Sequence, residues 1–150
     1  MTSDQARTLI GDRFTGASIE GGAPLVVTVP IEAWRPFAQF AKDDLHCRFF
    51  SFLTAVDWKD AGLEVVVKVD SVDENVSVLM KTRLGPGVSA CPSLVPVYRG
   101  ANWMERECFD MFGIHFEGHP DLRRLLLPDN WEGFPLLKSY AVDTPYPPYR

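Results

Sequence analysis

Residues 102–140 read NWMERECFDMFGIHFEGHPDLRRLLLPDNWEGFPLLKSY, and the rest of the chain is understood from this stretch. Its first part, 102–112, has the spacing of a helix of about three turns. Asn102 is placed to cap its start, and Gly113 to end it in the left-handed conformation that glycine accepts most readily. At about 100° per residue, Met104, Cys108, Met111 and Phe112 share one broad apolar face. Arg106, Glu107 and Asp110 gather on the opposite side with Trp103. Glu105 is the misfit, because it projects beside Phe109 and Phe112 on the apolar side. A carboxylate there needs a cation or several donors, since burying it unpaired is expensive. The next cations along the chain are Arg123 and Arg124, after the turn Gly118-His119-Pro120-Asp121, so one of these two is the expected partner of Glu105.

Outward from this stretch, the upstream chain alternates short helical and extended patterns. Residues 3–14 place Ala6, Leu9, Ile10 and Phe14 on one side of a short helix capped by Ser3 or Asp4. A Gly/Pro turn at 20–24 precedes a β-branched run at 25–29, which reads as a strand. Residues 30–44 return to helical spacing through Trp34, Phe37, Ala38 and Ala41, with Pro36 early enough to be tolerated. The aromatic run 48–58 is expected to be a buried central strand, with a hairpin turn at 60–62. Val65, Val67 and Val69 then alternate with Val66, Lys68 and Asp70, and 76–83 forms a partner strand with Val76, Val78 and Met80 on one face. This order predicts an α+β fold, with an antiparallel or mixed sheet covered by helices on one face. A single domain is expected over 1–142, followed by an extended Pro/Tyr-rich arm over 143–150.

Composition sets the class. The balance of 46% hydrophobic and 23% charged residues is that of an ordinary globular domain. A net charge of −5 argues against a nucleic-acid binder, whose footprint is basic. The early Asp4 and the lack of a long apolar core are not those of a signal peptide, and no apolar run approaches the roughly 18 residues of a spanning helix. Any membrane association is therefore expected through a partner. Cys47, Cys91 and Cys108 are widely spaced and form no Cys-x-x-Cys pair, so they cannot hold an iron–sulfur cluster or structural zinc by themselves.

Two chemical constellations compete with a purely structural reading. His115 and His119 lie four apart near Asp110 and Glu117, which raises the prospect of a metal site. Gly118 and Pro120 make that segment a turn, however, and turn histidines bonding to backbone account for it better. Glu105, Glu107 and Asp110 resemble an acid/base group, yet a charged helical face with a partly buried ion pair explains them equally. A stand-alone metal-dependent hydrolase using Glu105, Asp110, His115 and His119 is the rival of a different class. Phosphate-loop and dinucleotide fingerprints are missing from the sequence.

The motif Glu105-Arg-Glu-Cys-Phe-Asp-Met-Phe-Gly-Ile, followed by Gly118-His-Pro-Asp-Leu-Arg-Arg and Leu126-Leu-Pro-Asp-Asn-Trp-Glu-Gly, resembles the signature of the C-subunit family of NADH–quinone oxidoreductase, respiratory complex I. Leu53-Thr-Ala-Val-Asp-Trp and Gly100-Ala-Asn-Trp fall where that family has similar segments. The chain departs from the pattern at Phe134, Leu137 and Ser139, where His, Arg and Asp are common. The resemblance implies a peripheral-arm subunit on the cytoplasmic side of the cell membrane, without a catalytic centre or cofactor of its own. NADH, FMN, iron–sulfur clusters and quinone would then belong to partner subunits, the nearest being the quinone-site D-type subunit. Relatives in membrane-bound hydrogenases, methanogen dehydrogenases and the cyanobacterial complex are the alternative assemblies. The residues it marks as motif or partner interface are Trp103, Glu105, Arg106, Glu107, Asp110, Phe112, Gly113, His119, Pro120, Asp121, Arg123, Arg124, Pro128, Trp131 and Gly133.

Overall fold

The computed structural model describes residues 1–145. Helix α1 (Ser3–Arg13) is capped by Thr2 rather than by Ser3 or Asp4. The Thr2 hydroxyl accepts from the Gln5 N–H while the Gln5 side chain accepts from the Thr2 N–H, a reciprocal box that ties two otherwise orphaned donors. Strands β1 (Ser18–Gly21) and β2 (Leu25–Thr28) follow, and β1 runs into a stretch that reads as a turn from sequence. A 3₁₀ turn (Ile31–Ala33) leads into α2 (Trp34–Asp43), where Trp34, Phe37, Ala38 and Ala41 are all fully buried.

Strands β3 (Phe49–Asp57), β4 (Leu63–Ser71) and β5 (Val76–Gly85) complete a five-stranded sheet in the order β1-β2-β5-β4-β3. The β2–β5 pair is parallel and the others are antiparallel, so the sheet is mixed. Registers Val67↔Met80, Val27↔Met80 and Leu53↔Val67 put buried side chains of four strands in one row on one face. That face shares a core with Ala6 and Ile10 of α1 and the buried residues of α2. The opposite face is mixed, carrying the Arg83–Glu64 and Lys68–Asp70 ion pairs beside Val26, Val66 and Leu79. An alternating pattern of this kind is what a sheet covered on one side requires.

Strand β3 corrects an expectation: it is an edge strand, with a bulge between Phe50 and Phe52 and with Phe49 and Phe52 exposed. An apolar run records hydrophobic content and cannot by itself say how many neighbours a strand has. The edge is covered in part by helix α3 (Ala101–Phe112), whose Met104 sulfur accepts from the Leu53 N–H at 3.2 Å. Two three-residue strands, β6 (Ala90–Pro92) and β7 (His115–Glu117), pair in parallel on either side of α3 in sequence. Both are too short to leave a periodic signal. Of the expected arm over 143–150, residues 146–150 lie outside the described residues.

Candidate functional site

The N-cap position of helix α3 is Gly100, not Asn102, which sits inside the first turn. It stops at Gly113, whose φ of 73° is the left-handed end expected from sequence. A Cβ at Gly113 would stand 2.8 Å from the Phe134 ring, so glycine is required by conformation and space together.

The side of α3 that reads as a solvent-facing charged stripe is covered, and its two inner members hold the chain that covers it. Asp110 is fully buried. Its Oδ2 accepts the N–H groups of Leu125, Leu126 and Leu127 at 3.2, 2.7 and 2.9 Å. Its Oδ1 accepts Arg124 Nη1 at 2.9 Å, while Arg124 Nη2 reaches the carbonyls of Trp131 and Gly133 at 3.1 and 3.0 Å. One turn earlier, Arg106 donates to the carbonyls of Arg123 and Arg124 at 3.1 and 3.0 Å. The carboxylate thus takes backbone donors of the segment, and the guanidinium one turn away takes its acceptors. Burial opposes the charge on Asp110, but Arg124 and the three N–H groups outweigh it and hold the carboxyl below the usual range. Glu107 and Trp103 are the members of this stripe that stay exposed.

Glu105 corrects the expected pairing with Arg123 or Arg124. It lies five residues before Asp110, about 140° around the helix, and faces the end of β6 instead. Its two oxygens accept Ser93 Oγ–H at 2.7 Å and Leu94 N–H at 2.6 Å, and it is fully buried. Burial pushes its pKa up to about 7, only partly offset by those two donors and by the charge of Arg35. Arg35 itself is tied to the carbonyls of Ser93 and Glu117 at 3.0 and 3.3 Å. Arg124 is taken by Asp110, and Arg123 by exposed Asp121 at 2.9 Å. Ser93 and Leu94 carry no charge, so nothing in the sequence singles them out.

His119 uses both ring nitrogens on backbone. Nε2–H donates to the Asn102 carbonyl at 3.0 Å, and Nδ1 accepts the Asp121 N–H at 3.0 Å. Its Nε2 is 4.0 Å from Glu105, beyond hydrogen-bond reach. His115 stands exposed in β7. The four side chains of the hydrolase reading are therefore not gathered: three are engaged separately, and among the described residues no group of three or more His, Cys, Asp and Glu is placed to hold a metal. The three thiols are buried and free, and burial pushes Cys47 up to about 12 and Cys91 and Cys108 higher still.

The closing segment, residues 120–140, is a strap folded back across α3. Leu136 N–H donates to the Met111 carbonyl at 3.0 Å, and Lys138 N–H to Asp57 Oδ2 at 2.8 Å. Phe134 packs near Phe109 at 6.4 Å between ring centres and receives the Arg124 guanidinium on its face at 5.1 Å. Gly133, at φ 86°, leaves room for the Tyr140 ring, 2.8 Å from where a Cβ would be. Pro120 and Pro128 are exposed, and Trp131 is partly buried. Phe112 is buried in the core. Leu126 and Leu136 remain 59% and 55% exposed on the strap, and Trp103 is 68% exposed on the helix.

Known proteins are similar to the chain over most of its length. The chain is 44% identical over 136 residues to the C subunit of NADH-quinone oxidoreductase from Rhodobacter capsulatus, covering 88% of this chain and 67% of that protein. It is 36% identical over 147 residues to the C subunit of the same enzyme from Chlorobium phaeobacteroides, covering 95% and 89%. The solved structure of the trypsin-resistant fragment of Nqo5 superposes with a TM-score of 0.68 at 27% identity, over 79% of this chain and 98% of the fragment. Residues 27–146 match the family described as the respiratory-chain NADH dehydrogenase, 30 Kd subunit, and with most of its length so matched the chain belongs to that family, the C subunits of the NADH–quinone oxidoreductases.

Proposed function

We propose that the chain is a cofactor-free structural subunit of the peripheral arm of a proton-pumping NADH–quinone oxidoreductase. It packs on the quinone-site D-type subunit and supports electron transfer from NADH to quinone through groups carried by its partners. The observation that carries this reading is how the motif is spent. Asp110, Arg106, Arg124, Glu105 and His119 put their polar atoms into holding the strap and the β6 end. A motif used in this way fixes a surface; it leaves no acid or base poised in a cleft. The large apolar side chains left exposed on α3 and the strap are Trp103, Leu126 and Leu136, groups of the kind a partner covers. No helix among the described residues is long and apolar enough to cross a membrane, and in this proposal the chain sits at the cytoplasmic face of the membrane through its partners.

The test is affinity purification of the tagged full-length chain with identification of its companions. The D-type subunit is expected among them, and Leu126→Asp with Leu136→Asp is expected to lower its recovery. Recovery of the tagged chain alone, with no other part of the oxidoreductase, would contradict the proposal.

A further inference from the structure

Away from the strap, the end of α2, the start of β3 and the loop before α3 line an open cavity of about 670 Å³, within the size range of ligand pockets. Its floor is Tyr98, buried, with its hydroxyl donating to the Cys47 carbonyl at 2.7 Å and its ring 5.3 Å from that of Phe50. Lys42 lies over the Tyr98 ring at 5.6 Å and donates to the Val97 carbonyl at 2.6 Å. Arg48 and Arg99 complete the lining, both exposed. Neither guanidinium has a hydrogen bond, ion pair or ring contact among the described residues, although every other arginine there has at least one.

Two free guanidiniums and an ammonium on one cavity repel one another, and they do so in a chain whose net charge is −5. Asp43, whose charge reaches Tyr98, accepts the Gln39 amide at 2.6 Å and pairs with none of the three. The backbone N–H groups of Val95, Val97 and Tyr98 are already donated within the chain. With most of its lining N–H groups so engaged, the cavity owes its cationic character to side chains rather than to a cradle of backbone N–H groups. What it offers is guanidinium forks above an apolar wall that includes Pro96 and Phe50. That combination suits a carboxylate held bidentately with an apolar side chain next to it.

We infer that this cavity is a docking site for an acidic peptide segment, one carboxylate taken by Arg48 and Arg99 and a neighbouring apolar side chain resting on Phe50 and Pro96. That the segment comes from another member of the same assembly rests on the function proposed above; the chemistry of the cavity does not.

Isotope-labelled full-length chain is titrated with acetyl-Glu-Leu-Glu-amide and, separately, with inorganic phosphate at matched ionic strength. Amide signals of Phe50, Arg99 and Gly100 should shift saturably with the peptide, at about tenfold lower concentration than phosphate requires. Arg48→Gln and Arg99→Gln, each checked for an unchanged spectrum elsewhere, should both weaken peptide binding several-fold. Absence of peptide-dependent shifts at these signals, phosphate binding as tightly as the peptide, or wild-type affinity in both variants would overturn the inference. A tagged chain that captures no companions would instead contradict the proposed function alone, since the titration involves no companion.

Discussion

Asp110 and Glu105 are both fully buried carboxylates on one helix, and their surroundings push them in opposite directions. Asp110 is held ionised by Arg124 and three N–H groups, so Asp110→Asn leaves a largely buried guanidinium short of its charge partner. A loss of about 3–5 kcal/mol is expected in urea unfolding. Asp121→Asn, at an exposed pair, should cost far less. A similar loss in both variants would contradict a buried lock on α3. Glu105 has its folded pKa raised to about 7, above the unfolded value of about 4.3. The folded state therefore binds the extra proton, and the stability this contributes is present below the unfolded pKa. It is lost as pH rises toward 7 and beyond. Asp110, with its pKa lowered, contributes stability above the ordinary carboxylate range that disappears only in acid. Glu105→Gln keeps an acceptor for Leu94 and a polar contact for Ser93, so it should flatten the decline in stability between about pH 5 and 8 expected of the wild type. An unchanged decline would assign the titration elsewhere. At this scale the oddness of Glu105 was readable from its helical position, but its partners were not. A hydroxyl and a backbone N–H leave no charge pattern to pair with, whereas Arg123 and Arg124 do. Arg106 and Asp110 look solvent-facing on a helical wheel because a wheel cannot show a later segment folding over it.

Elements with a sustained period were legible: α1, α2, α3, β2, β4 and β5 sit close to where the alternation or the helical spacing puts them. Strands β1, β6 and β7 were not, because three or four residues among Gly and Pro carry no period. Strand β3 was seen as a strand and misplaced to the centre, since sheet position depends on partners that lie elsewhere in the chain. The join between α3 and the strap is where a change to one element should be felt most. Gly113→Ala imposes a Cβ both on a left-handed φ and on the Phe134 ring. It should destabilise by more than about 1 kcal/mol. Phe134→Ala in the same chain should recover the steric share and leave the conformational one. Additive losses in the double variant would show that the ring and the glycine do not meet.

For the molecule as a whole, the α+β class was legible from the order of patterns, while the parallel β2–β5 pairing that makes the sheet mixed was not, because it joins strands distant in sequence. Nothing among the described residues of the closing stretch beyond Tyr140 enters the core, so deleting residues 143–150 should leave the melting temperature of the chain nearly unchanged. The same deletion should lower its recovery in the complex if the Tyr/Pro arm docks on a neighbour; equal recovery would make it a tail without that role. The motif on α3, in the proposed function, builds a docking surface and takes no part in chemistry. The most direct measurement replaces Trp103, Leu126 and Leu136 with alanine and compares two quantities in the purified complex: the yield of assembled oxidoreductase, and NADH–quinone turnover per assembled complex. A docking surface predicts a reduced yield with turnover per complex unchanged. Normal yield with lost turnover would contradict it.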